Sequence, residues 1–152
     1  MTVDDPATLE ALIARLEALR PDAERRWGTL TAGEMLCHLG DSHETVLKRP
    51  MADEPAATVR PRPFLKWIAL YSPLPWSKKA QTGASVDPRR DGTQPGDFEA
   101  DRRRAIETLR RVATVPHQEL NPIHGLFGPM SPRDWYRSTY RHVDHHLRQF
   151  GV

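Results

Sequence analysis

Prolines divide this chain more sharply than any other residue type does. Eight of the 14 prolines fall in the interval from Pro50 to Pro95. An interior proline removes a backbone hydrogen bond and clashes with the preceding helical turn, so no long helix can cross that interval. Regular structure is therefore expected on both sides of it, joined by a long irregular crossover.

Four segments outside that interval are predicted to be helices, because apolar residues recur in them at helical spacing. They begin at Asp4 or Asp5, Thr31, Asp97 and Ser131, and are expected to end near Pro21, Lys48, Pro116 and Gly151. A short apolar helix is expected from Phe64 to Tyr71, and no segment shows the alternation of a strand. The sequence predicts an all-α fold, a single domain over residues 1–152 built as a four-helix bundle with a long Pro-rich crossover between helices 2 and 3.

Composition narrows the class of protein. The 22 basic and 20 acidic residues give a net charge of +2, whereas nucleic-acid binders usually concentrate positive charge. The sequence has no run of 18 apolar residues, and its one cysteine, Cys37, cannot form an internal disulfide. We therefore expect a soluble, cytoplasmic protein without a nucleic-acid or membrane partner.

Histidines are the residues that indicate chemistry. His142 and His146 lie four residues apart on the fourth predicted helix, so both rings project from one face and can bind one cation. A third ligand must come from another helix, and His38 is the best candidate because it lies beside the apolar stripe of the second helix. Three histidines with an open fourth position are typical of catalytic metal sites. The alternative is that these histidines are hydrogen-bonded core residues.

Four further residues each allow two interpretations. His145 is either a competing ligand or, as we expect, a surface or supporting group. Asp41 could orient His38, although an exposed helix residue is the preferred interpretation. Cys37 points about 100° away from His38 and is expected to be a buried core thiol. His124, in the loop before the fourth helix, could line the pocket mouth as a general acid or base, or could be a turn residue without a chemical role.

Two motifs resemble those of the DinB/YfiT-like superfamily. They are Leu36-Cys-His-Leu-Gly-Asp in the second helix and His142-Val-Asp-His-His-Leu-Arg-Gln in the fourth. A poorly characterised branch of that superfamily is similar at Arg26-Trp-Gly, Leu65-Lys-Trp-Ile, Pro73-Leu-Pro-Trp, Gly96-Asp-Phe-Glu and Phe127-Gly-Pro-Met-Ser. One departure is that better-known members follow the last histidine with Arg-Gly-Gln, whereas here Leu147, Arg148 and Gln149 follow it.

The resemblance implies a DinB-like bundle that holds a divalent metal ion on His38, His142 and His146 and is frequently a homodimer. Three imidazoles accept Zn, Ni, Fe or Mn, with Zn or Ni favoured. The implied function is a metal-dependent enzyme, either a thiol-dependent S-transferase using a low-molecular-weight thiol or a hydrolase. His124 is the candidate catalytic residue because of its loop position, not because of the resemblance. The alternative is a non-catalytic module that binds a metal or a small molecule.

Overall fold

Helices dominate the computed structural model, which describes residues 1–47, 61–78 and 82–152. The helices in these ranges are α1 (Pro6–Ala18), α2 (Ala32–Val46), α3 (Pro63–Tyr71), α4 (Phe98–Thr114) and α5 (Pro132–Phe150). Short 3₁₀ turns lie at Ala84–Val86 and His117–Glu119, and a hairpin pairs β1 (Ile123–His124) antiparallel with β2 (Gly128–Pro129). The prediction of an all-α class is confirmed at this level.

The helix starts follow local signals in the sequence. Thr31 and Glu34 bond reciprocally at the start of α2, where each side chain accepts from the other residue's backbone N–H. Ser131 and Asp134 do the same at the start of α5. Gly151 ends α5 in the left-handed conformation, with φ of 80°. The expected end of the second helix at Lys48 lies outside the described residues, as do residues 48–60 and 79–81 of the crossover.

One hydrophobic core joins the four longer helices. Helix α2 packs along α4, and α5 contacts each of the other helices. Fully buried side chains come from all four of them and include Leu12, Leu16, Met35, Leu39, Leu109 and Leu147. Because burying such a side chain contributes roughly 1.5–3 kcal/mol, this core fixes the relative positions of α2 and α5, which carry the three candidate ligands.

The β1–β2 hairpin was not predicted. Its strands are only two residues long, too short to produce a readable alternation of apolar and polar residues. Gly128 has a φ of 78°, and a Cβ there would lie 3.0 Å from the Cα of Pro61. The hairpin therefore packs closely against the chain that leads into α3.

Helix α3 is joined to the start of α5 through one carboxylate. Asp134 accepts hydrogen bonds from the Tyr71 hydroxyl at 2.6 Å and from Lys66 Nζ at 3.0 Å. Burial alone would raise the pKa of Asp134, but its bonds from Tyr71, the Ser131 backbone and Lys66 outweigh that effect and hold the pKa at about 2. Among the described residues, no helix combines the length and apolar character needed to cross a membrane.

Candidate metal centre

Three histidine rings converge where α2 meets α5. His142 Nε2 lies 3.0 Å from His38 Nε2 and 3.2 Å from His146 Nε2. All three candidate ligand atoms lie within 4.8 Å of one another. The structure thus brings together the three residues that the helical spacing and the family resemblance had selected.

These separations suit a single cation. Two imidazole nitrogens that each lie about 2.0–2.1 Å from a tetrahedral centre are roughly 3.3 Å apart, close to the distances measured around His142. The group formed by His38, His142 and His146 could therefore hold a metal ion. Three imidazoles do not select one metal, because several divalent cations accept the same ligand set.

A backbone carbonyl fixes the proton on His38. Val86, in the 3₁₀ turn Ala84–Val86, places its carbonyl oxygen 2.7 Å from His38 Nδ1. A carbonyl only accepts, so Nδ1 must carry the hydrogen, and the neutral ring presents its Nε2 lone pair to the cluster. Histidines that bind metals usually have such a partner on the other ring nitrogen.

The side-chain amide of Gln149 does the same for His146. Its Oε1 lies 2.9 Å from His146 Nδ1, and its Nε2 donates to the Trp27 carbonyl at 2.7 Å. The second bond determines which end of the amide is the oxygen, and therefore places the hydrogen on His146 Nδ1. No role was predicted for Gln149 from the sequence, although a spacing of three residues on a helix predicts such contact.

The three rings are neutral, and their Nε2 atoms converge on a position where a cation could bind. Burial, together with the neighbouring His146 and His38 rings, lowers the pKa of His142 well below its ordinary value. Burial and the nearby His38 ring lower the pKa of His146 to about 3, and burial also lowers the pKa of His38. With the hydrogens of His38 and His146 on Nδ1, only His142 could place one among the three Nε2 atoms, so most of the lone pairs there face one another.

Two indole rings surround this cluster. The Trp76 ring centroid lies 5.9 Å from that of His142, and Trp27 lies 5.8 Å from His145. His142 and His146 are partly exposed, whereas His38 is buried. A small molecule could therefore reach the cluster from the side of α5, beside the Trp76 ring.

His145 is not part of the convergent group. Its ring lies between Trp27 and Trp76 and 5.3 Å from the ring of His146, and burial lowers its pKa. The structure therefore places it at the aromatic rim, in keeping with the expected supporting position. Cys37 is buried, as predicted for a core thiol.

The preferred interpretation of Asp41 as an exposed residue is wrong. Its side chain is only 11% exposed and bonds to Arg104 Nη2 at 2.6 Å and to Thr93, through its backbone N–H and hydroxyl, at 2.7 and 2.8 Å. The alternative, that Asp41 orients His38, has no matching contact, because the His38 Nδ1 hydrogen is directed to Val86. Asp41 instead holds the loop containing Thr93 against α2.

His124 lies away from the convergent histidines. Its Nδ1 accepts the backbone N–H of Leu126 at 2.9 Å, and its ring lies 5.3 Å from that of Trp135. Trp135 precedes His142 by seven residues, about 10 Å along a helix. Burial lowers the pKa of His124 to about 4. Its role as a catalytic acid or base stays a prediction that this placement does not favour.

One further buried histidine, His43, was not predicted from the sequence. His43 on α2 is almost fully buried, and its Nδ1 lies 3.0 Å from Thr108 Oγ1 on α4. Burial and the nearby His38 lower its pKa to about 3. Its position four residues after Leu39 and three before Val46 indicates the buried side of α2 and could have identified it as a core histidine.

Comparison with known proteins identifies a family for nearly the whole chain. The family model described as "Protein of unknown function (DUF1569)" matches residues 5–151. No curated protein and no solved structure matches the chain. The chain therefore belongs to the DUF1569 family, whose description assigns no reaction.

Proposed function

We propose that this DUF1569 protein is a divalent-metal-dependent enzyme that holds its ion on His38, His142 and His146. The observation that carries the proposal is the hydrogen bonding of the rings: Val86 and Gln149 occupy the Nδ1 positions of two histidines, so that their Nε2 lone pairs converge. Because the residues His142 and His146 are not fully buried, a fourth ligand could enter from the side of α5.

Thiol-dependent S-transfer is the reaction we propose, and hydrolysis is compatible with the same ligand set. A divalent cation at this position would lower the pKa of a thiol or water bound beside it. The protein residues keep the three imidazoles neutral and oriented, while Trp27 and Trp76 restrict the approach of water. The substrate would be a small electrophile together with a low-molecular-weight thiol.

A non-catalytic binding module is the second candidate. The observation in its favour is that His124, the proton-transfer group selected from the sequence, packs against Trp135 rather than beside the three histidines. Such a module would bind the ion, or a small molecule through the ion, without turning it over.

We further propose the DinB-like four-helix bundle, a homodimeric state and a cytoplasmic location. Support for the bundle comes from the shared core of the four longer helices, with candidate ligands on the second and fourth of them. The single cysteine supports a reducing compartment. Support for the homodimer comes from the family resemblance.

Metal analysis of protein purified without an affinity tag tests the binding step. We expect one divalent ion per chain in the wild type and its loss in His142→Ala, because His142 contacts both other ligands. His117→Ala is the matched control, since His117 is an exposed histidine outside the cluster. A wild-type protein that retains no ion after growth and dialysis in metal-supplemented medium would reject both candidate functions.

A thiol-transfer assay separates the enzyme from the binding module. The metal-loaded protein would be incubated with an electrophile and a panel of cellular thiols, alongside His38→Ala and His146→Ala. We expect turnover with at least one thiol and its loss in both variants. Stoichiometric metal without turnover, or turnover that persists in both variants, would contradict metal-dependent transfer.

A further inference from the structure

Helix α3 is turned the opposite way from an ordinary surface helix. Its one charged residue, Lys66, points inward and bonds to Asp134 Oδ2 at 3.0 Å and to the Pro129 carbonyl at 2.9 Å. Its largest side chains point outward: Phe64 is 74% exposed and Trp67 is 57% exposed. Leu70 is the one fully buried residue of the helix. A surface helix of a globular protein normally places its apolar stripe against the core.

The exposed apolar surface continues past the helix. Leu65 is 37% exposed and Leu74 is 60% exposed. We call Phe64, Leu65, Trp67 and Leu74 the α3 face. These four are the majority of the exposed large apolar side chains in the described ranges, where Met1 and Leu126 are the others. Isolated exposed apolar residues need no explanation, but such a cluster marks an interaction surface.

Positive charge lies beside the α3 face. The sequence of residues 55–86 contains no Asp or Glu and five cationic residues. Of these, Arg62 is exposed at the start of α3, whereas Lys66 is paired with Asp134 and Lys78 lies over the Trp27 ring. On the adjoining side of α5, Arg137 lies over the Tyr71 ring, and Arg141 donates to the carbonyls of Ser72 and Leu74. Among the described residues, both arginines direct their guanidinium groups to backbone carbonyls of the α3 segment rather than to a carboxylate.

We propose that the α3 face docks onto an anionic lipid surface. Short helices that present Trp, Phe and Leu between cationic residues lie in the bilayer interface, where the apolar side chains enter the acyl boundary and the cations meet anionic head groups. A second copy fits less well, because a two-fold interface would bring two cationic rims together. An anionic bilayer supplies the negative charge that the sequence of residues 55–86 lacks.

This inference goes beyond the proposed metal chemistry and revises one expectation from the sequence. The absence of a long apolar run excludes a segment that crosses a bilayer, but adsorption to its surface needs no such segment. The α3 face also adjoins the metal centre, because Trp76, two residues after Leu74, packs beside His142. Docking would therefore hold the rim of the metal centre near the lipid.

Sedimentation with vesicles tests the proposal. The full chain would be mixed with vesicles of phosphatidylcholine and phosphatidylglycerol in equal parts, or of phosphatidylcholine alone, at low and at high salt. We expect binding to the anionic vesicles that weakens with salt, and little binding to the neutral ones. Trp67→Ala should weaken binding at least about tenfold, since it removes one large apolar side chain that would enter the bilayer.

Charge variants provide a matched control. Arg62→Ala should weaken binding about fivefold, whereas Arg103→Ala, which removes an exposed arginine from α4, should leave it unchanged. Thermal unfolding checks that Trp67→Ala is folded, and Phe64→Ala provides a second apolar variant at a still more exposed position. Wild-type protein that stays in solution with anionic vesicles, or equal binding by wild type and both apolar variants, would overturn the proposal.

Measuring the molecular mass in solution tests whether a second copy of the chain, rather than lipid, covers the α3 face. We expect the oligomeric state of Trp67→Ala to equal that of the wild type, because the α3 face is assigned to lipid. A wild-type dimer that dissociates in Trp67→Ala and Phe64→Ala would identify a second copy as the occupant. That result would overturn lipid docking and leave the metal proposal untouched, because the metal content is measured separately.

Discussion

The two ends of α5 both bury polar side chains, but they satisfy them differently. At the first turn, Asp134 accepts bonds from Tyr71, Lys66 and the Ser131 backbone, so donors and acceptors are matched. In the second half, His142 Nε2 lies 3.0 Å from His38 Nε2 and 3.2 Å from His146 Nε2. The Nε2 atoms of His38 and His146 are both acceptors, because their hydrogens are on Nδ1.

This difference separates a structural network from a binding site. Matched donors and acceptors need nothing from outside the protein, because burying a polar group costs little once it is hydrogen-bonded. Acceptors that face acceptors are stabilised only by a proton or a cation. The start of α5 therefore stabilises the fold, and its second half has the arrangement of a cation site.

Replacing one histidine near each half of α5 tests most directly whether the second half alone is a cation site. We expect His146→Ala to weaken metal binding more than about 100-fold, since removing a ligand should cost more than removing a ligand's hydrogen-bond partner. His124→Ala, beside the first half of α5, should leave the affinity unchanged. Titration with a competing chelator measures the metal affinity of both variants. Equal losses of affinity would contradict the assignment of the cation site to the second half of α5.

The pH dependence of stability tests whether His124 is a buried neutral core residue. Burial lowers its pKa from 6.5 to about 4, so the unfolded chain takes up the proton first. Its contribution is complete above about pH 6.5 and is lost as the pH falls towards 4, by at most about 3 kcal/mol. Urea unfolding should show a smaller acid loss in His124→Asn, whose amide oxygen can replace Nδ1 as acceptor. An identical decline in both proteins would contradict burial as the cause.

The carboxylate at the start of α5 should affect stability but not metal binding. We expect Asp134→Ala to lower the free energy of unfolding by about 2 kcal/mol, because it removes a helix cap and leaves Lys66 without its carboxylate. Asp22→Ala, which breaks an exposed ion pair with Arg20, should leave the free energy of unfolding nearly unchanged. Loss of the metal in Asp134→Ala at a temperature where it stays folded would show that the two ends of α5 are coupled.

Gln149 provides the smallest and most specific test. In Gln149→Leu, His146 Nδ1 loses its acceptor, and we expect metal binding about tenfold weaker. Gln149→Glu keeps an acceptor oxygen there and should retain most of the affinity. If both variants bind the ion equally, the orientation of His146 does not depend on the amide.

Local signals account for what the sequence predicted well. The Thr31–Glu34 and Ser131–Asp134 boxes and the terminal Gly151 act within a few residues, so the starts of α2 and α5 and the end of α5 agreed with the structure. The His142–His146 pair is also local, because a spacing of four places both rings on one face. The placement of His38 opposite them depends on packing between helices. Its position beside the apolar stripe made it the best candidate for the third ligand, and the family resemblance implied the same residue.

Distant partners explain what the sequence did not predict. The carbonyl that orients His38 belongs to Val86, 48 positions away, and every residue has a carbonyl, so no side chain marks it. Asp41 was assigned to solvent from its helical position, but Thr93 and Arg104, from later parts of the chain, cover it. In both cases the partner was determined by the tertiary arrangement rather than by residue spacing.

The order of the three ligands along the chain has a consequence for synthesis. His38 and His142 are 104 positions apart, so a chain emerging from the ribosome holds only one of the ligands until α5 is made. Closing a loop of that length is entropically costly, and an ion held by one imidazole cannot offset the cost. The cation would therefore be acquired by a chain that has already folded, and its uptake would report completed folding rather than initiate it.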